Sequence, residues 1–383
     1  MTDLEHILPL WNELENAGAD YVLATVVAVE GSSYRRPGAR MLLAQDGRRA
    51  GTVSGGCLEA EVAQRAWWLT SNGPVVERYS TLDDDGDLPY GSGCGGVVYI
   101  LLERRKTASR LLHALKAAWD VRQPLAIATI LEGPRIGERA FGGLPAAAGL
   151  PTNDNAGTDI RLAELAEQGW AERRSVDCQI QMDGVPTRAW ADYRAARPGL
   201  WIFGAGDDAK PLLKLARELG WFVVVADGRS HLTTANRFAA ADEIRVLTMS
   251  DLPNAWGKSL PLLRSDAAVL MTHSFEQDSH ILAALMDDAL QFPYAYVGVL
   301  GPQRRTHEAL AEAARLRGVT AEADQIESWL DQLHAPTGID LGADTSASIA
   351  LSILAEVQQV FNAATALPLR RVRATGAEIR SLS

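Results

Sequence analysis

The strongest constraint on this chain lies in its second half, where strand, glycine turn, helix and strand follow in register. Trp201-Ile202-Phe203 leads into Gly204-Ala205-Gly206-Asp207-Asp208-Ala209, and the next apolar run ends at Ala226-Asp227-Gly228-Arg229. A G-x-G-x-x-A turn lets backbone approach a pyrophosphate, which the free N–H groups and dipole of the helix N-terminus attract. Asp227 follows about 20 residues later, where an acid accepts hydrogen bonds from a ribose. Gly204, Gly206, Asp227 and Arg229 are therefore candidates for holding NAD(P). Asp207 and Asp208 oppose that reading, because two carboxylates beside the turn repel a pyrophosphate unless they point away. Strands over 200–203, 222–226, 243–247, 267–270 and 294–300 alternate with helices over 209–219 and 279–290. This spacing predicts a Rossmann-like, doubly wound parallel sheet. Further helices are expected over 304–317, 321–333 and 346–361. His273, just after a strand, stands where α/β sites collect and is a candidate ligand or acid–base group.

The first half has another rhythm. A helix over 4–14, a buried strand over 21–29, a hairpin around Asp46-Gly47, and strands near 75–81, 97–102, 125–130, 177–182 and 187–192 predict a mixed α+β domain. At 383 residues the chain is too long for one core. The boundary is placed at Arg197-Pro198-Gly199, giving domains 1–196 and 197–365 and a mobile tail over 366–383. The Gly/Pro/Ala-rich stretch 133–160 reads as a flexible insert. With 48 acidic against 37 basic residues, the net charge of −11 excludes a general nucleic-acid or anionic-membrane binder. No apolar run reaches the roughly 18 residues of a membrane span. The N-terminus lacks the basic region of a signal peptide, and three cysteines build no disulfide framework. A reduced, cytoplasmic protein is expected.

Three loops of this half carry chemistry. Gly31-Ser32-Ser33-Tyr34-Arg35-Arg36-Pro37-Gly38-Ala39-Arg40 offers hydroxyls, backbone N–H groups and three guanidiniums. Ser32, Ser33, Arg35, Arg36 and Arg40 are candidates for an oxyanion or phosphate, and a solvated basic turn is the alternative. In Ser54-Gly55-Gly56-Cys57-Leu58-Glu59 a thiol stands at a helix N-terminus after two glycines, which lowers its pKa and admits a ligand closely. Gly93-Cys94-Gly95-Gly96 repeats the arrangement ahead of a strand. Cys178 sits in an ordinary strand pattern and reads as structural. The seven histidines are scattered without an HExxH, which argues against a zinc hydrolase.

At these loops the chain closely resembles the XdhC/CoxI family, maturation factors for molybdenum hydroxylases. The resemblance covers nearly the whole chain, through GSSYRRPGARML, GTVSGGCLEAEV, GCGGVVYILLE, LWIFGAGDDAKPL, VVVADGR, MTHSFEQD, YVGVLGPQRR and PTGIDLGADTSASIALSILAEV. It implies a chaperone that binds molybdenum cofactor, supports its sulfuration with a cysteine desulfurase and hands it to an apo-hydroxylase. The client would be of xanthine dehydrogenase, carbon monoxide dehydrogenase or aldehyde oxidase type, and a homodimer is plausible from the resemblance. Arg35, Arg36, Arg40 and the glycine N–H groups would suit the phosphate of molybdopterin or the pyrophosphate of its dinucleotide form. Cys57 would suit molybdenum itself, with Cys94 as a companion and Ser54, Gly55, Gly56, Glu59 and Gly95 around them. Two readings compete: an NAD(P)-dependent oxidoreductase, for which no Tyr-x-x-x-Lys relay accompanies the turn, and a nucleotide-sensing interaction protein.

Overall fold

The computed structural model describes residues 2–31, 33–56, 58–80, 96–144, 159–248 and 260–374. The candidates Ser32, Cys57, Cys94 and Gly95 lie outside the described residues. The chain divides into two units, Met1–Arg197 and Pro198–Leu382.

The first unit opens with α1 (Thr2–Asn16), β1 (Tyr21–Glu30), β2 (Arg40–Ala44), β3 (Arg49–Gly51), α2 (Glu59–Leu69) and β4 (Val75–Ser80). It continues through β5 (Val97–Arg104), α3 (Arg105–Asp120), β6 (Leu125–Ile130), β7 (Arg139–Gly142), α4 (Ile160–Glu172), β8 (Val176–Met182) and β9 (Val185–Arg194). The strands form two antiparallel sheets, ordered β3-β2-β1-β5-β4 and β7-β6-β9-β8. Strand β1 is apolar on both faces, apart from Thr25 and the terminal Glu30, because its alternate residues enter different cores. Tyr21 and Leu23 pack with Trp11 of α1 and Leu111 of α3, whereas Val22, Ala24 and Val26 pack with Val62 and Ala66 of α2. Within the stretch 133–160, expected as a flexible insert, residues 139–142 form β7, paired to β6 with Phe141 buried, and residues 145–158 lie outside the described residues.

The second unit comprises β10 (Gly199–Phe203), α5 (Ala209–Glu218), β11 (Phe222–Asp227), β12 (Glu243–Val246), β13 (Ala267–Leu270) and α6 (Phe275–Leu285). Then follow β14 (Tyr296–Val299), α7 (Gln303–Leu316), α8 (Ala323–Leu330), α9 (Ser346–Phe361) and α10 (Leu369–Ala374). Helix α10 falls within the segment expected to be a mobile tail. The five strands are parallel, in the order β12-β11-β10-β13-β14. Helices α5 and α9 cover one face through Leu212, Leu213, Ile353 and Val357, and α6, α7 and α8 cover the other through Ile281, Leu310 and Trp329. This is the doubly wound, Rossmann-like sheet that the alternation predicts. Strand order reverses between β10 and β13, so their carboxyl ends flank the crevice where such sheets bind ligands.

Helix α9 starts with a capping box. Thr345 Oγ1 accepts from the Ser348 N–H at 3.2 Å, and Ser348 Oγ accepts from the Thr345 N–H at 2.9 Å. Thr345→Ala removes one half of it, and the expected cost is about 1 kcal/mol, read as a lowered urea midpoint with an unchanged m-value.

Candidate functional site

The arginine loop and the glycine loop of the first unit meet. The Arg35 guanidinium donates from Nε to Thr52 Oγ1 at 2.8 Å, and that hydroxyl donates to the Ser54 carbonyl at 3.0 Å. Tyr34 lies across Gly55: a Cβ placed there would stand 3.3 Å from the ring. Arg35 stands 5.9 Å from the Tyr34 ring centroid, and its Nη2 is 3.4 Å from Asp3 Oδ1. Ser33 is half-buried, while Arg36, Gly55, Gly56 and the Tyr34 ring (73% exposed) face solvent. Together these groups make a surface with an aromatic plane, a guanidinium and bare glycine backbone.

The glycine loop is held from within. Ser54 Oγ accepts from the Gly56 N–H at 3.2 Å and from the Leu58 N–H at 3.0 Å, and donates to Glu59 Oε2. Glu59 Oε1 accepts from the N–H groups of Ser54 at 2.8 Å and Val53 at 3.2 Å. Burial alone would raise the Glu59 pKa, but the Ser54 hydroxyl and the backbone donors outweigh it and hold the carboxyl below the usual range. Glu59 was expected to touch a cofactor; it is buried and ties down Val53 and Ser54, whose hydroxyl in turn holds the amides of Gly56 and Leu58.

Arg40 also departs from expectation. It belongs to β2 and is buried, with Nη2 donating to Asp192 Oδ2 at 2.7 Å and Nη1 to the Gly38 carbonyl at 3.0 Å. Desolvation pulls its pKa down to about 10, with Asp192 resisting and Arg194 assisting. It stands in a strand buried along its whole length, whereas Arg36 lies in the preceding loop and faces solvent.

In the second unit the candidates gather at the switch point. Gly204 has φ +135°, and a Cβ on it would lie 2.5 Å from the Met271 carbonyl oxygen, so close approach of β10 to the β13 loop requires glycine. Asp207 is drawn off by neighbouring cations, whereas the Asp208 carboxylate stays against the turn, where a Cβ on Gly206 would collide with it. Asp207 pairs with Lys210 at 2.7 Å and Arg237 at 3.0 Å, and Asp208 Oδ2 lies 2.9 Å from His273 Nε2. His273 is exposed and holds φ 60°, uncommon outside glycine. Asp227 was expected to serve a ribose, yet its oxygens already accept four internal N–H groups. Oδ2 takes the Ala205 amide at 2.7 Å and Arg229 Nη2 at 2.6 Å; Oδ1 takes the Arg229 amide at 2.8 Å and Nε at 3.0 Å. Burial pushes the carboxyl up, but Arg229 and the two amides hold it below the usual range. Arg229 is thus the partner of Asp227, and the pair locks the glycine turn to β11.

Nearby, the buried Asp278 of α6 bridges Thr272 at 2.6 Å and Arg305 at 2.7 Å, joining the loop after β13 to the first turn of α7. Burial outweighs these partners and raises its carboxyl. The sequence reading missed Tyr34, Thr52 and this trio; Tyr34 had a signal, as an aromatic among serines and arginines. Among the described residues no three His, Cys, Asp or Glu side chains are grouped to hold a metal ion. Cys178 is half-buried in β8, and desolvation, then Asp177, raises its thiol pKa.

A family model described as XdhC and CoxI family matches residues 14–80, and another described as XdhC Rossmann domain matches residues 200–357. The chain belongs to the XdhC and CoxI family. The XdhC and CoxI match includes both joined loops, and the XdhC Rossmann match includes the switch-point turn. Over 342 residues the chain is 28% identical to a probable xanthine dehydrogenase subunit of Bacillus subtilis, covering 88% of this chain and 92% of that protein. Over 353 residues it is 25% identical to the molybdenum cofactor insertion chaperone PaoD of Escherichia coli, covering 90% and 84%. A crystal structure of a xanthine dehydrogenase from Bacillus halodurans matches with a TM-score of 0.70 at 26% identity, covering 97% of this chain and 100% of that one. No helix among the described residues is long and apolar enough to cross a membrane.

Proposed function

We propose that this chain is a cytoplasmic molybdenum-cofactor chaperone that supports sulfuration of the cofactor and its insertion into an apo molybdenum hydroxylase. The observation that carries the reading is the junction of the two N-terminal loops at Tyr34–Gly55 and Arg35–Thr52. Similarity to an insertion chaperone along nine-tenths of the chain supports it. The cofactor is cargo here. Exposed Arg36 and the half-buried Arg35 suit its phosphate or pyrophosphate, Tyr34 offers a plane to a pterin ring, and Gly55 and Gly56 admit it close to backbone. Cys57, between residues pinned by Ser54, contacts the molybdenum or guides the sulfur, which a cysteine desulfurase supplies; Cys94 is its companion. The protein works as a homodimer. With Asp227 saturated by its own turn, the geometry favours no nicotinamide chemistry in the second unit.

The test is reconstitution of an inactive apo-hydroxylase, with pterin and molybdenum measured on the co-purified chaperone. The wild-type protein is expected to carry cofactor and restore activity, and Cys57→Ala to restore at most about a tenth of it, the loss expected when an essential cargo contact of about 1.4 kcal/mol is removed. Equal reactivation with and without the protein would overturn the reading. Light scattering checks the dimer.

A further inference from the structure

The first unit holds an arginine-lined cavity that the cargo reading leaves unused. Its volume is about 30 Å³, room for roughly two water-sized spheres. Leu115 and Trp119 of α3 form an apolar wall, Gly38 forms another, and Arg40, Arg194 and Arg197 supply guanidiniums. The Arg197 guanidinium lies over the Trp119 ring at 4.3 Å. Arg40 Nη2 and Arg194 Nε converge on one oxygen, Asp192 Oδ2, at 2.7 and 2.8 Å. Two guanidiniums thus share one carboxylate. Asp3, the carboxylate on the cavity lining, is engaged by Arg35 at 3.4 Å.

Two donors remain. Among the described residues Arg40 Nε and Arg194 Nη2 are buried without a hydrogen-bond partner, and the Arg40 side chain is only 4% exposed. Arg194 Nη2 presses on the wall of the cavity, since a Cβ on Gly38 would stand 1.4 Å from it. Buried guanidinium N–H groups are ordinarily bonded, and two guanidiniums sharing the single carboxylate of Asp192 make an anion the fitting further acceptor.

We propose that this cavity binds a phosphate group, held between Arg40 Nε and Arg194 Nη2. A phosphate brings nearly two negative charges at neutral pH and three acceptor oxygens, which guanidinium forks match. The cavity is too small for a nucleotide, so the group enters end-on, as the free ion or as the end of a phosphomonoester. The site needs neither pterin nor metal, so its test stands apart from that of the cargo reading.

The full chain is titrated calorimetrically with inorganic phosphate and with glycerol 3-phosphate, with chloride replacing either at constant ionic strength. Saturable binding of phosphate over chloride is expected, weakened at least about tenfold in Arg194→Gln, the loss of one charge-assisted contact. Arg194→Lys keeps the charge without the fork and is expected to fall between them, a second reading if the glutamine variant folds poorly. Arg48→Gln removes an exposed guanidinium paired with Asp46 and Glu13 and leaves binding unchanged. Uptake of inorganic phosphate alone assigns the free ion, and uptake of both assigns the ester end. Absence of saturable binding by either, or wild-type affinity in both Arg194 variants, overturns the proposal.

Discussion

Glu59→Ala is expected to destabilise the first unit by about 3 kcal/mol and, under the proposed function, to abolish co-purification of molybdenum cofactor. The side chain lost is an internal acceptor for three donors, the amides of Val53 and Ser54 and the Ser54 hydroxyl. Each donor orphaned in a buried place costs about 1–3 kcal/mol, and water entering beside the exposed glycines relieves part of that. The urea midpoint should fall by on the order of 1 M. Glu59→Gln keeps the shape but turns an amide donor toward donors, so roughly half the loss is expected. Acid provides a second check. The Glu59 carboxyl is held below its unfolded value, so its contribution is full above the unfolded pKa of about 4.3 and is lost as pH falls through the folded value. The gap between wild type and Glu59→Ala should therefore narrow as pH falls from about 6 to about 3. A gap that stays constant would show that the ionised carboxylate does not hold the loop.

Asp227→Asn is expected to cost the second unit about 2 kcal/mol. Breaking a fully buried ion pair usually costs about 3–5 kcal/mol, but Arg229 is about one-third exposed and can turn to water. What cannot relax is the Ala205 amide, which loses the acceptor that fixes the glycine turn. Its hydrogen exchange should accelerate by roughly 30-fold, the rate equivalent of that energy. Because the Asp227 carboxyl is also held low, wild-type stability from this source is present above about pH 4 and disappears on further acidification, whereas the variant is flat there. Unchanged exchange at Ala205 together with lost NAD(P) binding would instead return Asp227 to a ribose.

The second unit was the more legible one, for a physical reason. Parallel strands buried on both faces read as uninterrupted runs such as Trp201-Ile202-Phe203 and Val223-Val224-Val225, and the glycine turn punctuates them. Local signals also placed β1, the β2–β3 hairpin and α9. What escaped depended on distant partners. Arg40 looks like a loop cation until Asp192, 152 residues away, draws it inward. Strand β7 hides in a Gly/Pro/Ala-rich stretch because pairing with β6, not propensity, makes it a strand. Glu59 and Asp227 have the residue types of ligand contacts, and only geometry shows their oxygens turned to their own backbone.

The pairing of Asp208 with His273 makes the switch-point turn a crevice with a resident competitor. A carboxylate fixed to the same fold presents itself at an effective concentration at least on the order of millimolar, without any cost of diffusion. Any group that approaches His273 from solvent therefore meets an acid of the same chain already in hydrogen-bond contact with the ring.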